Sequence, residues 1–285
     1  MRHITRIAPC AVAVAALLTC AASAPAHDWY IQAVDYLLPG PGATVLFQGW
    51  GHKLPLDDAI AGEKIASLRL IAPDGSATTL TVAPERGFHV TPVELSTPGI
   101  YTVAGESRPG YYNIYADKDG KVHHSTSALD ELKDAARVMF SVRAYQFPKT
   151  YLAVGDIAGA PTPQPVGATF EIVPAQAPGT LHAGDRLELS LLYDGKPVPD
   201  GTEFDATYMG FSTEMEDYLF TGRTTSGGKG YIDLACAGVW YIRAHLTQPP
   251  TEQWQGKCRE LMLNATLTLS VAPRPAAGAS HEQAH

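Results

Sequence analysis

The sequence predicts an all-β protein of two β-sandwich modules, with one short helix between or within them. Three observations predict it. Gly and Pro number 26 and 22, whereas charged residues make up only 18% of the chain, which favours short strands joined by turns over long charged helices. Short apolar runs recur along the whole length, separated by Pro- and Gly-containing turn signals. Once an expected leader is removed, about 260 residues remain, enough for two ordinary domains or one large β domain.

The elements follow in order. Arg2, His3 and Arg6 precede an apolar run over 8–18, and small residues then lead to Ala24-Pro25-Ala26. That is the pattern of a secretory signal peptide over 1–26, and its apolar run is too short to span a bilayer. Cleavage after Ala24 would leave Pro25 just past the cut, so cleavage after Ala26 is expected, which makes His27 the first residue. Lipid processing at Cys20 ranks second, because Thr19 is a poor fit to the small-residue preference before a lipidated cysteine. The expected location is the periplasm, with secretion as the alternative.

The first module is expected over 27–154. Residues 28–35 and 43–50 read as a strand pair around the turn Pro39-Gly40-Pro41-Gly42. Further strands are expected at 66–71, 78–82, 88–95 and 100–106, separated by Pro73-Asp74-Gly75 and Thr97-Pro98-Gly99. Residues 111–115 and 121–124 flank Asp117-Lys118-Asp119-Gly120 as another hairpin. The one helix is expected from Ser127-Ala128-Leu129-Asp130, which resembles a capping box, into ELKDAARVMF, whose apolar residues fall near helical spacing. An extended segment, 141–145, follows it.

Residues 155–167 are proline-bearing and aperiodic, and read as a linker or crossover. The second module is expected over 168–272, with strands at 169–173, 186–193, 203–209, 218–224, 230–234, 239–245 and 261–271. The Pro/Ala-rich tail 273–285 is expected to be disordered.

Two cysteines, Cys236 and Cys258, follow the leader. An even count in an oxidising compartment argues for a disulfide. Against it, the two residues precede successive strands, whose starts lie at opposite ends of an antiparallel hairpin. The formal net charge of -8 disfavours nucleic acid and anionic membrane as partners. No G-x-S-x-G, H-E-x-x-H, Walker loop or paired C-x-x-C is present, so a non-enzymatic protein is expected.

The second module, LSLLYDGKPVPDGTEFDA followed by TTSGGKGYIDLACAGVWYIRAHL, resembles carboxypeptidase-regulatory or transthyretin-like, Ig-like β-sandwiches. Over nearly the whole chain after the leader, AHDWYI, QGWGHKLPLDD, STPGIYTVAGES, ATFEIVPAQAPGTLHAGDRLELSLLYDGKPVP and WYIRAHL together resemble the NikM-like periplasmic family. That family is labelled as the exported component of nickel or cobalt uptake. The resemblance implies a transition-metal cargo and a membrane transporter component as partner.

His27 and His52 form the leading candidate metal pair. They lie symmetrically about the turn between Pro39 and Gly40, so antiparallel pairing sets them side by side at one end of the sheet. As an amino-terminal residue, His27 offers its α-amine as well as its imidazole. His245, at the end of WYIRAHL, is the third choice and lies within the family resemblance; its alternative is a strand-end histidine exposed to water. His89 and Glu106 are symmetric about Thr97-Pro98-Gly99 and form a lesser pair; such a contact is more often structural, or an outer clamp that orients a ligand, than a primary metal site. Adjacent His123 and His124 point to opposite strand faces. The acidic loop 214–217 is expected to be solvated.

Nitrogen ligands of this kind suit nickel, cobalt, copper or zinc, and copper has the highest intrinsic affinity. The leading expectation is therefore a periplasmic transition-metal-binding protein serving nickel, cobalt or copper uptake or handling. The alternatives are a non-enzymatic interaction or adhesion module of the cell envelope and, ranking below it, a histidine-brace copper oxidase.

Overall fold

The computed structural model describes residues 27–275. The expected leader and its cleavage point, and residues 276–285 of the expected tail with His281 and His285, lie outside the described residues. The protein is all-β and sandwich-like.

In the first half the strands are β1 (Asp28–Ala33), β2 (Leu37–Leu38), β3 (Gly42–Gly51), β4 (Ile60–Ala61), β5 (Ile65–Ile71), β6 (Ala77–Thr79), β7 (Arg86–Gly87), β8 (Val90–Leu95), β9 (Gly99–Ser107), β10 (Gly110–Ala116), β11 (Val122–Ser125) and β12 (Arg137–Val154). The second half adds β13 (Phe170–Pro174), β14 (Arg186–Tyr193), β15 (Lys196–Pro197), β16 (Glu203–Tyr208), β17 (Phe220–Arg223), β18 (Lys229–Asp233), β19 (Gly238–Gln248) and β20 (Glu260–Val271).

The expected helix does not form. Leu129–Glu131 makes a single 3-10 turn, and by Arg137 the chain is already in β12. Ala128 occupies the N-cap and has no side-chain acceptor, so the turn is closed from one side only, by the Glu131 carboxylate accepting the Ala128 N–H at 3.2 Å. So short a nucleus does not propagate on its own. Antiparallel pairing of Val138 with Tyr115 and of Phe140 with Ile114 claims the following residues for the sheet.

β1, β3 and β8 form a three-stranded sheet, and β13, β14, β15 and β18 a four-stranded one. Between them runs an 11-stranded sheet whose main path is β17-β16-β19-β20-β12-β9-β5-β6. β12 and β20 pair in parallel from Val142↔Glu260 to Thr150↔Thr268, so strands of both halves of the chain share one sheet.

Side-chain alternation assigns the two small sheets to opposite faces of the large one. Phe147 and Tyr151 of β12 pack with Phe170, Leu187, Leu189 and Trp240. Leu152 and Val154, one residue out of phase, pack with Trp29, Ile31, Leu46 and Val103. Each such buried side chain contributes roughly 1.5–3 kcal/mol. Cys236 and Cys258 are both free. The β19–β20 register, Gly238↔Val271 to Gln248↔Leu261, carries them to opposite ends of the strand pair.

Candidate metal centre

The β1–β3 hairpin carries the candidate site. Its register runs from Ala33↔Leu46 to Asp28↔Gly51, which makes His27 and His52 the next opposed pair. Their imidazole centroids are 4.6 Å apart with ring planes inclined by 33°. Trp50 also packs against His27, with centroids 5.8 Å apart, and the Lys64 ammonium lies 5.2 Å over the Trp50 ring. Burial and the neighbouring His52 both lower the His27 pKa, which favours the neutral imidazole.

His52 is presented by a sharp bend. Gly51 sits at φ 138°, and a Cβ there would lie 2.4 Å from that of Asp57. The Asp57 carboxylate accepts the His52 N–H at 2.9 Å. The His52 side chain is 8% exposed, with Nδ1 3.2 Å from Glu216 Oε1. The Glu216 N–H also donates to the His52 carbonyl at 3.1 Å.

His27 is held through its backbone. Gln146 of β12 donates to the His27 carbonyl at 2.8 Å and accepts from the Trp29 N–H at 3.3 Å. Thr266 and Thr268 of β20 donate to the carbonyls of Trp29 and Ile31. These side chains share the face of the large sheet that meets β1. Asn264 lies between Gln146 and His245 in the same row, fully buried, and its amide O and N have no hydrogen-bond partner among the described residues.

Beside His27, Asp28 is fully buried. It accepts from Arg243 Nη1 at 3.1 Å and Tyr241 OH at 3.0 Å, and lies 3.2 Å from His245 Nε2. Burial alone would raise its pKa, but His245 and Arg243 hold it down to about 2. Arg243 further contacts Asp205 at 3.0 Å and Glu216 at 3.2 Å. The hydrogen bond with His52, assisted by Arg243, lowers the Glu216 pKa against the opposing effect of burial. A cavity of about 20 Å³, water-sized, lies alongside, lined by Tyr30, His52, Tyr208, Tyr218 and Tyr241 among others.

The expected site residues divide accordingly. His27 and His52 come together. His245 turns its Nε2 to Asp28, and the structure does not gather it with the histidine pair. His89 and Glu106 are not cross-strand neighbours: β8 and β9 do not form a hairpin but belong to different sheets. His89 Nε2 lies 3.1 Å from the Ile60 carbonyl, and Glu106 is opposite Ser67 in the β5–β9 pair. His123 and His124 have separate partners, Asp117 and Tyr112. Among the described residues no group of three or more His, Cys, Asp or Glu side chains is arranged to hold a metal.

Asp28, Arg243 and Glu216 were not legible as site residues. Arg243 carried a signal, a lone charge inside the apolar strand GVWYIRAHLTQ, because a buried charge needs a partner; Asp28, at the very start of β1, carried a weaker one. Glu216 carried none. It lies in the loop expected to be solvated, and only the tertiary fold brings it to His52.

No curated protein matches the chain. Among solved structures, Salmonella alpha-2-macroglobulin reacted with methylamine overlaps 87% of this chain at 13% identity and a TM-score of 0.24, and the chain spans only 15% of that protein's length. The D0-D1 domain of intimin overlaps 85% of this chain and 97% of its own at 11% identity and a TM-score of 0.22. Overlaps this loose identify no shared activity. A family model described as a domain of unknown function, DUF4198, matches residues 24–248.

Proposed function

The chain belongs to the DUF4198 family, a domain of unknown function, and from that premise we propose that it is an exported, non-enzymatic protein that binds a transition metal. The His27 α-amine, the His27 imidazole and the His52 imidazole hold the ion. One observation carries the reading: two histidines facing each other at the open end of the β1–β3 hairpin stand with ring centroids 4.6 Å apart. Two nitrogens on one ion lie within about 4 Å of each other, since each sits about 2 Å from the metal. With ring centroids 4.6 Å apart, a modest rotation of the two side chains brings one nitrogen of each ring to that spacing. The third nitrogen depends on leader removal after Ala26, which frees the amine; with two residues then supplying three ligands, a third side chain is not required.

The resemblance of AHDWYI, QGWGHKLPLDD and WYIRAHL to NikM-like proteins favours nickel or cobalt as the cargo and uptake as the setting, with a membrane transporter component as partner. Intrinsic affinity favours copper over zinc, nickel and cobalt. Calorimetric titration of the processed protein with each ion tests the reading. Binding abolished by both His27→Ala and His52→Ala supports it, and binding indifferent to both contradicts it.

A second reading, an interaction module of the cell envelope, draws on one surface feature. Phe47 and Val90 are directly opposed on β3 and β8 and both exposed, with Phe88 exposed nearby. Elemental analysis of untagged protein from its native compartment separates the two: stoichiometric metal favours the first.

A further inference from the structure

We propose that Glu216 is a positioning residue for this centre, fixing His52 in the tautomer that carries its proton on Nδ1 and so presenting Nε2 to the ion. The inference rests on the metal-binding reading and adds a residue from the second half of the chain to it.

Glu216 grips His52 at two points. Its backbone N–H donates to the His52 carbonyl at 3.1 Å, and its carboxylate Oε1 lies 3.2 Å from His52 Nδ1. An ionised carboxylate can only accept, so the ring nitrogen facing it must be the donor. In a neutral imidazole the other nitrogen, Nε2, then keeps its lone pair for a metal. Free histidine favours the opposite tautomer, which puts the proton on Nε2 and blocks that ligand.

The backbone at Glu216 is an independent sign. Glu216 has φ 56°, a left-handed conformation that among the described non-glycine residues it shares only with Asp194. Such a conformation is unfavourable for a side chain with a Cβ, and the grip on His52 offsets it. Arg243 completes the arrangement. Its Nη1 is 3.2 Å from Glu216 Oε1 and 3.1 Å from Asp28 Oδ2. One guanidinium thus fixes both the neighbour of His27 and the carboxylate behind His52.

The test begins without metal. ¹⁵N spectra of the His52 ring in the processed, metal-free wild-type protein should report the Nδ1–H tautomer. Glu216→Ala should shift the population towards Nε2–H, and Glu216→Gln, whose amide oxygen still accepts, should retain Nδ1–H. Copper titration should show a ~10–100-fold loss of affinity in Glu216→Ala, the range for removing a supporting hydrogen bond, and substantial recovery in Glu216→Gln. A wild-type His52 protonated on Nε2 would overturn the proposal outright, whether or not any variant folds. A tautomer and affinity unchanged in Glu216→Ala would also overturn it, while His52→Ala still abolishing copper binding would leave the metal reading standing. A tautomer switch with copper affinity indifferent to His27→Ala, His52→Ala and Glu216→Ala would instead overturn the role at a metal centre.

Discussion

Asp28 and Arg243 come from opposite ends of the chain and meet in the interior at 3.1 Å, the carboxylate fully buried and the guanidinium side chain 9% exposed. The pair locks β1, and with it His27, to β19. Removing one partner of a buried ion pair leaves an uncompensated charge and typically costs 3–5 kcal/mol. Arg243 also faces Asp205 and Glu216, so Arg243→Met is expected to lose about 3 kcal/mol or more, read as a lower midpoint in urea unfolding.

Acid should weaken the same contact. The folded-state pKa of Asp28 is held down to about 2, from an ordinary value of 3.8. A carboxylate with a depressed folded pKa contributes stability that is fully present above its unfolded pKa and lost as pH falls through the folded value. Asp28 should therefore contribute about 2 kcal/mol at neutral pH, declining between pH 4 and 2. Unfolding free energies measured across that window should fall less steeply in Asp28→Asn than in the wild type.

A second buried pair secures the crossover between the two halves. Lys149 and Glu171 meet at 2.7 Å with both side chains 3% exposed. Glu171 also accepts the N–H groups of Val166 and Gly167 at 3.1 and 3.0 Å. Lys149→Met should destabilise by about 3–5 kcal/mol. Adding Glu171→Gln should recover part of that loss, because no buried charge then remains while an amide oxygen still accepts from the crossover. A denaturant double-mutant cycle measures the coupling.

Gly51→Ala should impair the centre without touching a ligand. The new Cβ would meet Asp57 and would sit at φ 138°, so the bend presenting His52 must shift. Copper titration should show weakened binding, and thermal unfolding a lowered midpoint.

Much of the fold was legible because strand and turn signals act locally. Arg186–Tyr193 matches its expected bounds, and the hairpin symmetry about Pro39 and Gly40 anticipated the meeting of His27 and His52. What failed depended on which strands pair. Symmetry about Thr97-Pro98-Gly99 looked the same as symmetry about Pro39-Gly40, yet β8 turns to β3 and β9 to β5 and β12. The turn allows either a hairpin or a crossing between sheets, and burial of Val93, Leu95 and Val103 in the core between the two sheets accompanies the crossing. The helix signal after Ser127 yielded in the same way, to pairing with β10. Glu216 reaches His52 only through contacts far apart in sequence, which no local pattern encodes.

The central claim is that His27 binds metal through a free α-amine together with its ring, alongside His52. Its most direct test compares two proteins that differ only at the terminus, one beginning at His27 and one with a single alanine ahead of it. The extra residue turns the amine into an amide and removes one ligand, while β1, its carbonyl contacts and the Asp28 network stay as they are. Copper titration should show the extended protein binding more weakly by more than the ~10–100-fold that a lost supporting hydrogen bond costs, with an unchanged circular dichroism spectrum and melting temperature in the absence of metal. Equal affinity in the two proteins would contradict the account.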